Sequence, residues 1–209
     1  MKKNYIYFYS IIVIYKSIHT KTIICDNMSS TVYQVNGKRI PTKTYYINVD
    51  SRDRDRSVWP RTSQFEVKLD PPAPFSGAHI QRNFRNVISI ELMNAVFPNT
   101  NKILDMQYLY LNIPEIEGII DTTCSGKRFF AKLLPQHAIG SFVYNYQDLA
   151  ERTKKVYPFR GARLDKITIE LRDPTGAIVN FGNDNGAHPN PLVQTSFAFK
   201  IVVEHNNRD

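Results

Sequence analysis

Gln64-Phe65-Glu66-Val67-Lys68-Leu69 alternates strictly, with Phe65, Val67 and Leu69 on one side and Glu66 and Lys68 on the other. Side chains of an extended chain point to opposite faces in turn, so this period of two reads as a half-buried β-strand. Asp70-Pro71-Pro72-Ala73-Pro74 closes it, because proline has no N–H to give to a ladder.

The same punctuation recurs on both sides of this stretch. Residues 44–49 upstream are β-branched and aromatic. Residues 86–97 place Val87, Ser89, Glu91 and Met93 opposite Ile88, Ile90 and Leu92, and Pro98-Asn99 breaks the run. Runs over 108–113 and 128–134 end at Pro114 and Pro135, and 141–144 is a weaker one. Residues 166–171 precede the turn Asp173-Pro174-Thr175-Gly176, a return over 177–181 and a last run over 196–203. Residues 145–155 are the best helix candidate, with Leu149 and Val156 sharing a face. About eight short strands with little helix predict an all-β fold, a single antiparallel jelly-roll sandwich rather than βαβ units.

A chain of 209 residues is long enough for one ordinary domain. With 42% apolar and 22% charged residues, whole-chain disorder is excluded. Only Cys25 and Cys124 are cysteines, which excludes a disulfide framework and a four-cysteine zinc site and fits a reducing compartment. A single Cys25–Cys124 bridge stays open. The net charge is +8, of which Lys2, Lys3, Lys16, Lys21 and Asp26 contribute +3. The rest is mildly basic, which permits contact with anionic surfaces without demanding nucleic acid.

Residues 5–15 form an apolar run between Lys2-Lys3 and Lys16. It is shorter than the roughly 17 to 25 residues that span a bilayer, and no small-residue cleavage site comes after it. Three readings stay open: an extension upstream of a start at Met28, or an apolar tail that docks on a partner; a signal or membrane anchor that brings residues 5–15 to a membrane; or a core strand. The expected organisation is an N-terminal extension or tail over 1–43 and a jelly-roll domain over 44–209.

Catalytic patterns are missing. There is no GxxxxGK[ST], GxGxxG or GxSxG pattern, and His19, His79, His137, His188 and His205 are scattered without metal-ligand spacing. Cys124 sits in a turn-like stretch and reads as a spare thiol. The chain is therefore expected to be no enzyme, with no catalytic residue, cofactor or metal.

The unusual element is Asp50-Ser51-Arg52-Asp53-Arg54-Asp55-Arg56, with Trp59-Pro60 just beyond it. A calcium loop would use Asp53 and Asp55, but no glycine or closing glutamate is in place after them. A nucleic-acid patch would not match three arginines with three aspartates. Arginine forks pair bidentately with carboxylates, so an ion-paired loop at a subunit joint, drawing on Asp50, Arg52, Asp53, Arg54, Asp55, Arg56 and Trp59, is expected. The competing reading is a solvated charged turn, whose exposed pairs are worth about 0 to 1 kcal/mol each.

The string from Tyr46 to Asp55, with Trp59-Pro60, Phe65 and Leu69, then Asn86-Val87-Ile88-Ser89-Ile90-Glu91-Leu92 and Phe97-Pro98-Asn99, resembles minor capsid and penton-type proteins of nucleocytoplasmic large DNA viruses. Looser agreement continues at Tyr108-Leu109-Tyr110-Leu111, Phe130-Ala131-Lys132-Leu133 and residues 164–172. The resemblance implies a single jelly roll in a virion shell, either a penton or a vertex-proximal minor capsid protein on the inner surface. It implies assembly in host cytoplasm, with itself as a cyclic pentamer, with a major capsid protein and with other minor capsid proteins. It brings no catalytic residues and no specific nucleic-acid partner. The rival expectations are a basic virion-core nucleic-acid-binding protein and a carbohydrate-binding jelly roll, the latter suggested by the aromatic content and the Asn-rich loop over 182–191.

Overall fold

In the computed structural model, residues 33–35, 38–75, 77–99, 103, 106–116, 119–120, 128–135, 142–146, 153–157 and 161–205 are described. Eight strands build two sheets: β1 (Thr42–Asp50), β2 (Gln64–Leu69), β3 (Val87–Pro98), β4 (Leu109–Asn112), β5 (Ala131–Leu133), β6 (Phe142–Tyr146), β7 (Lys166–Arg172) and β8 (Ser196–Glu204). They pair as a folded antiparallel ribbon: β1 with β8, β2 with β7, β3 with β6 and β4 with β5. Rolling that ribbon lays β8 against β3 and β7 against β4. The sheets therefore run β1-β8-β3-β6 and β2-β7-β4-β5, the strand order of a jelly roll. The expected all-β class is the observed one. Helix among the described residues amounts to two 3-10 turns, Ser51–Asp53 and Pro191–Val193. Short segments decorate the sheets: His79–Ile80 lies parallel to β2, and Lys154–Val156 pairs with β3.

The core lies between the sheets. Phe65, Val67 and Leu69 of β2 are buried as the alternation predicts. Phe130 and Phe199 approach across the sandwich with ring centroids 6.3 Å apart, and Phe97 and Phe181 at 6.4 Å. Burying each such ring is worth roughly 1.5–3 kcal/mol. β1 starts at Thr42, two residues before the expected boundary, and Ile40 is already buried.

Strand β3 departs from simple alternation. Its register on β8 slips twice, so that Ile88 and Met93 are extra residues opposite a single partner step. Each bulge reverses the parity of the residues beyond it. Val87 therefore shares the core with Ile90 and Leu92, and Ala95 and Phe97 come next on the same side. The expected grouping of Val87 with Ser89, Glu91 and Met93 is corrected accordingly.

Two other expectations change. Residues 177–181 form no strand; they make one bridge, Ile178 to Arg172. Both edges of β7 are already held by β2 and β4, so the returning segment reaches only its last residues. The helix expected over 145–155 is strand at both ends, Asn145 and Tyr146 in β6 and Lys154 and Lys155 on β3. β-branched and aromatic neighbours and an open edge of β3 outweigh the local helical spacing. Its middle, residues 147–152, lies outside the described residues. So do residues 1–27 with their apolar run and Cys25, and also Cys124, His19 and His137. Among the described residues no helix is long and apolar enough to cross a membrane.

Candidate functional site

The loop after β1 and the loop before β8 leave the same end of the sandwich, since Asp50 and Ser196 face each other across the β1–β8 ladder. Asp50 Oδ1 accepts the N–H of Arg52 at 2.9 Å and caps the 3-10 turn. Ser51 is fully buried. Its N–H donates to the Thr195 carbonyl at 2.9 Å, its Oγ donates to Gln194 Oε1 at 2.8 Å, and the same Oγ accepts the N–H of Thr195 at 2.8 Å. A serine hydroxyl can donate one hydrogen bond and accept others, so it satisfies both loops at once.

Arg54 completes the joint. Nε donates to the Trp59 carbonyl at 2.8 Å. Nη1 donates to the Ser51 carbonyl at 2.6 Å and to Gln194 Oε1 at 3.2 Å. Nη2 donates to the Pro60 carbonyl at 3.4 Å and to Asp184 Oδ2 at 2.6 Å. All five N–H donors of the guanidinium find acceptors, and neither Arg54 nor Asp184 has any exposed side-chain surface. Gly182 enters the distal loop with φ 130°, where a Cβ would lie 3.3 Å from Val193 Cγ1. Desolvation alone would raise the Asp184 carboxyl. The Asn190 N–H, the Arg54 guanidinium and Gln194 outweigh it and hold the group below its ordinary value.

The expected ion-paired run is therefore rearranged. Within residues 50–56 no aspartate pairs with an arginine; the ion pair that forms runs from Arg54 to Asp184, 130 positions away. Arg54 is a strut inside the subunit, where it cannot touch a neighbouring one. Arg56 donates to the Gly186 carbonyl at 2.8 Å and to that of Ala187 at 3.1 Å, reinforcing the same joint. Asp55 binds its own turn, accepting the Ser57 N–H at 3.0 Å and hydroxyl at 2.5 Å. Trp59 packs against the core. Arg52 and Asp53 remain exposed. Asp53 is raised from its ordinary value by desolvation first and by Asp50 second, with Arg52 opposing.

The residues that point outward were not singled out by the sequence. Val58 is 62% and Leu192 70% exposed, one on each of the two joined loops. An apolar side chain inside a Pro-punctuated loop was the available signal for Leu192; nothing in spacing points to Asp184. The Asn-rich loop over 182–191, expected of a carbohydrate reader, has Asp184 and Asn190 engaged in this joint, with Gln194 just beyond it. Among the described residues no group of histidines, cysteines and carboxylates is placed to hold a metal, Asp53 and Asp55 included.

Residues 37–111, about a third of the chain, match a family of unknown function (DUF5901). The matched stretch carries β1, the Asp50–Arg56 run, β2, β3 and all of β4 but its last residue, Asn112. No curated protein sequence matches the chain.

Proposed function

We propose that this chain is a non-enzymatic structural protein of a virion, a penton or vertex-proximal minor capsid protein that assembles with itself and with a major capsid protein. The observation that carries the reading is the end of the sandwich at which Arg54 and Asp184 fix two loops while Val58 and Leu192 stand exposed. A repeated building block needs rigid contact loops, because ordering a mobile loop at each joint would subtract from the association free energy. Exposed apolar side chains on fixed loops provide the desolvation that drives association. A closed ring needs two different complementary patches, and these loops supply one. The resemblance across β1 to β3 supports the same assignment, with assembly in the cytoplasm of a host cell.

Cryo-electron microscopy of purified particles tests it. Five copies around each vertex is the expected result, and density beneath the shell supports the minor-protein version. Absence from the purified particle overturns the structural reading.

A further inference from the structure

The opposite end of the sandwich holds a cleft of about 430 Å³, lined by Lys43 and Tyr45 of β1, Arg82, Asn83, Arg85, Asn86, and Val203 to His205 at the end of β8. Its charge is one-sided: among the described residues of the lining, Lys43, Arg82, Arg85 and His205 stand against Glu204 as the one acid. None of those four basic side chains has an ion-pair partner among the described residues.

Two of these basic side chains, Arg82 and Lys43, are also held in place. Arg82 Nη2 donates to the Tyr45 hydroxyl, and its guanidinium lies over the Tyr45 ring at 4.4 Å, while Lys43 Nζ lies 5.4 Å from the same ring. Tyr45 in turn meets Phe84 edge-on at 5.5 Å, and Phe84 is fully buried. The core thus anchors the ring, and the ring holds two cations at the cleft. Holding long basic side chains ahead of binding removes the rotamer entropy that binding would otherwise cost. Asn83, also in the lining, donates its Nδ2 hydrogen to Asp70 Oδ2 at 3.1 Å.

We infer that this cleft binds a small oxyanion monoester, phosphate or sulfate, with Lys43, Arg82 and Arg85 taking the anion. The volume suits a single sugar-sized group, within the usual range of small-molecule sites. The inference stands apart from the capsid reading, because it uses the other end of the fold.

Isothermal titration of the full chain with glucose 6-phosphate, glucose 6-sulfate, inorganic phosphate and glucose tests it. Saturable binding of at least one ester is expected, weaker binding of inorganic phosphate and none of glucose; the tighter ester tells a phosphate source from a sulfate source. Arg82→Gln and Lys43→Gln should each weaken ester binding about tenfold or more, while Lys132→Gln, over the Tyr108 ring on the other sheet, leaves it unchanged. Thermal melting of each variant confirms that it is folded. Failure of both esters to bind, glucose binding as tightly as its esters, or a folded Arg82→Gln with wild-type affinity overturns the inference. So does an equal loss in Lys132→Gln, which would mark diffuse charge attraction only.

Discussion

Arg54 and Asp184 lie 130 positions apart and meet as an ion pair, Nη2 to Oδ2 at 2.6 Å, with both side chains wholly buried. The pair joins the loop after β1 to the loop before β8 and leaves no donor of the guanidinium without an acceptor. Removing one partner of such a pair strands the other charge in a poor solvent.

Arg54→Ala is therefore expected to lower unfolding stability by about 3 to 5 kcal/mol, read from urea denaturation. Arg54→Lys should recover part of the loss, because an ammonium offers three donors without the planar fork. Combined with Asp184→Asn, the losses should fall well short of additive, since both changes break one network. Additive losses would show that the two groups act independently.

Asp184 contributes to the pH dependence of stability. Its folded value lies below the ordinary 3.8. The stabilisation is therefore complete above the unfolded value and is lost as pH falls below about 3.8 through the lower folded value. Asp184→Asn should flatten that acid limb of the stability curve. An unchanged acid limb in the variant would assign the loss to other carboxylates.

Asp53 has the opposite sign. Its folded value is raised, by desolvation and then by Asp50. A carboxyl with a raised value costs stability wherever it is ionised, so the cost is present at neutral pH and vanishes in acid. Asp53→Asn should leave stability at pH 7 equal or slightly higher, within about 0.5 kcal/mol as for most exposed positions. A clear loss in thermal melting would give Asp53 a structural role.

Strands were legible where one face is buried and the other wet. Phe65, Val67 and Leu69 announce β2, because alternation survives whenever a strand lies between core and solvent. The charged run was legible as unusual but not as what it is. Its alternating signs suggested pairing among neighbours, whereas Asp50 caps, Ser51 bridges, Asp55 binds its own turn and Arg54 reaches into a loop that spacing cannot connect to it. β3 was misread on its faces because the two bulges depend on the partner strand. The sequence carries Ile88 and Met93 without saying that each is an extra residue.

The bulges give a sharp deletion test. Deleting Met93 removes the extra residue, so Asn94 follows Leu92 in plain alternation and Ala95 and Phe97 keep their core side; the cost should stay near the roughly 1 kcal/mol of an ordinary substitution. Deleting Val96 instead, past the bulge, should turn Phe97 outward. Phe97 is fully buried, and losing a core phenylalanine costs about 3 to 5 kcal/mol. Equal effects of the two deletions in chemical denaturation would show that the extra backbone residue does not set the register.

The last prediction separates assembly from folding. Val58 and Leu192 expose most of their surface on loops that Arg54 and Asp184 hold still. Val58→Asp and Leu192→Asp introduce charge where a neighbouring subunit would bury apolar surface. Each should leave monomer stability within about 0.5 kcal/mol, because an exposed side chain loses little on substitution. Burying an unpaired carboxylate at a joint is costly, so both variants should fail to form rings in analytical ultracentrifugation under conditions where the wild type does. Arg52→Ala, exposed on the same loop, should behave like them to a lesser degree. Arg54→Ala should instead fail earlier, as a less stable monomer, because its side chain lies inside the subunit. Rings that form normally from both aspartate variants would take this end of the sandwich out of the interface and leave the edge strands β1 and β6 as the contact surfaces to test.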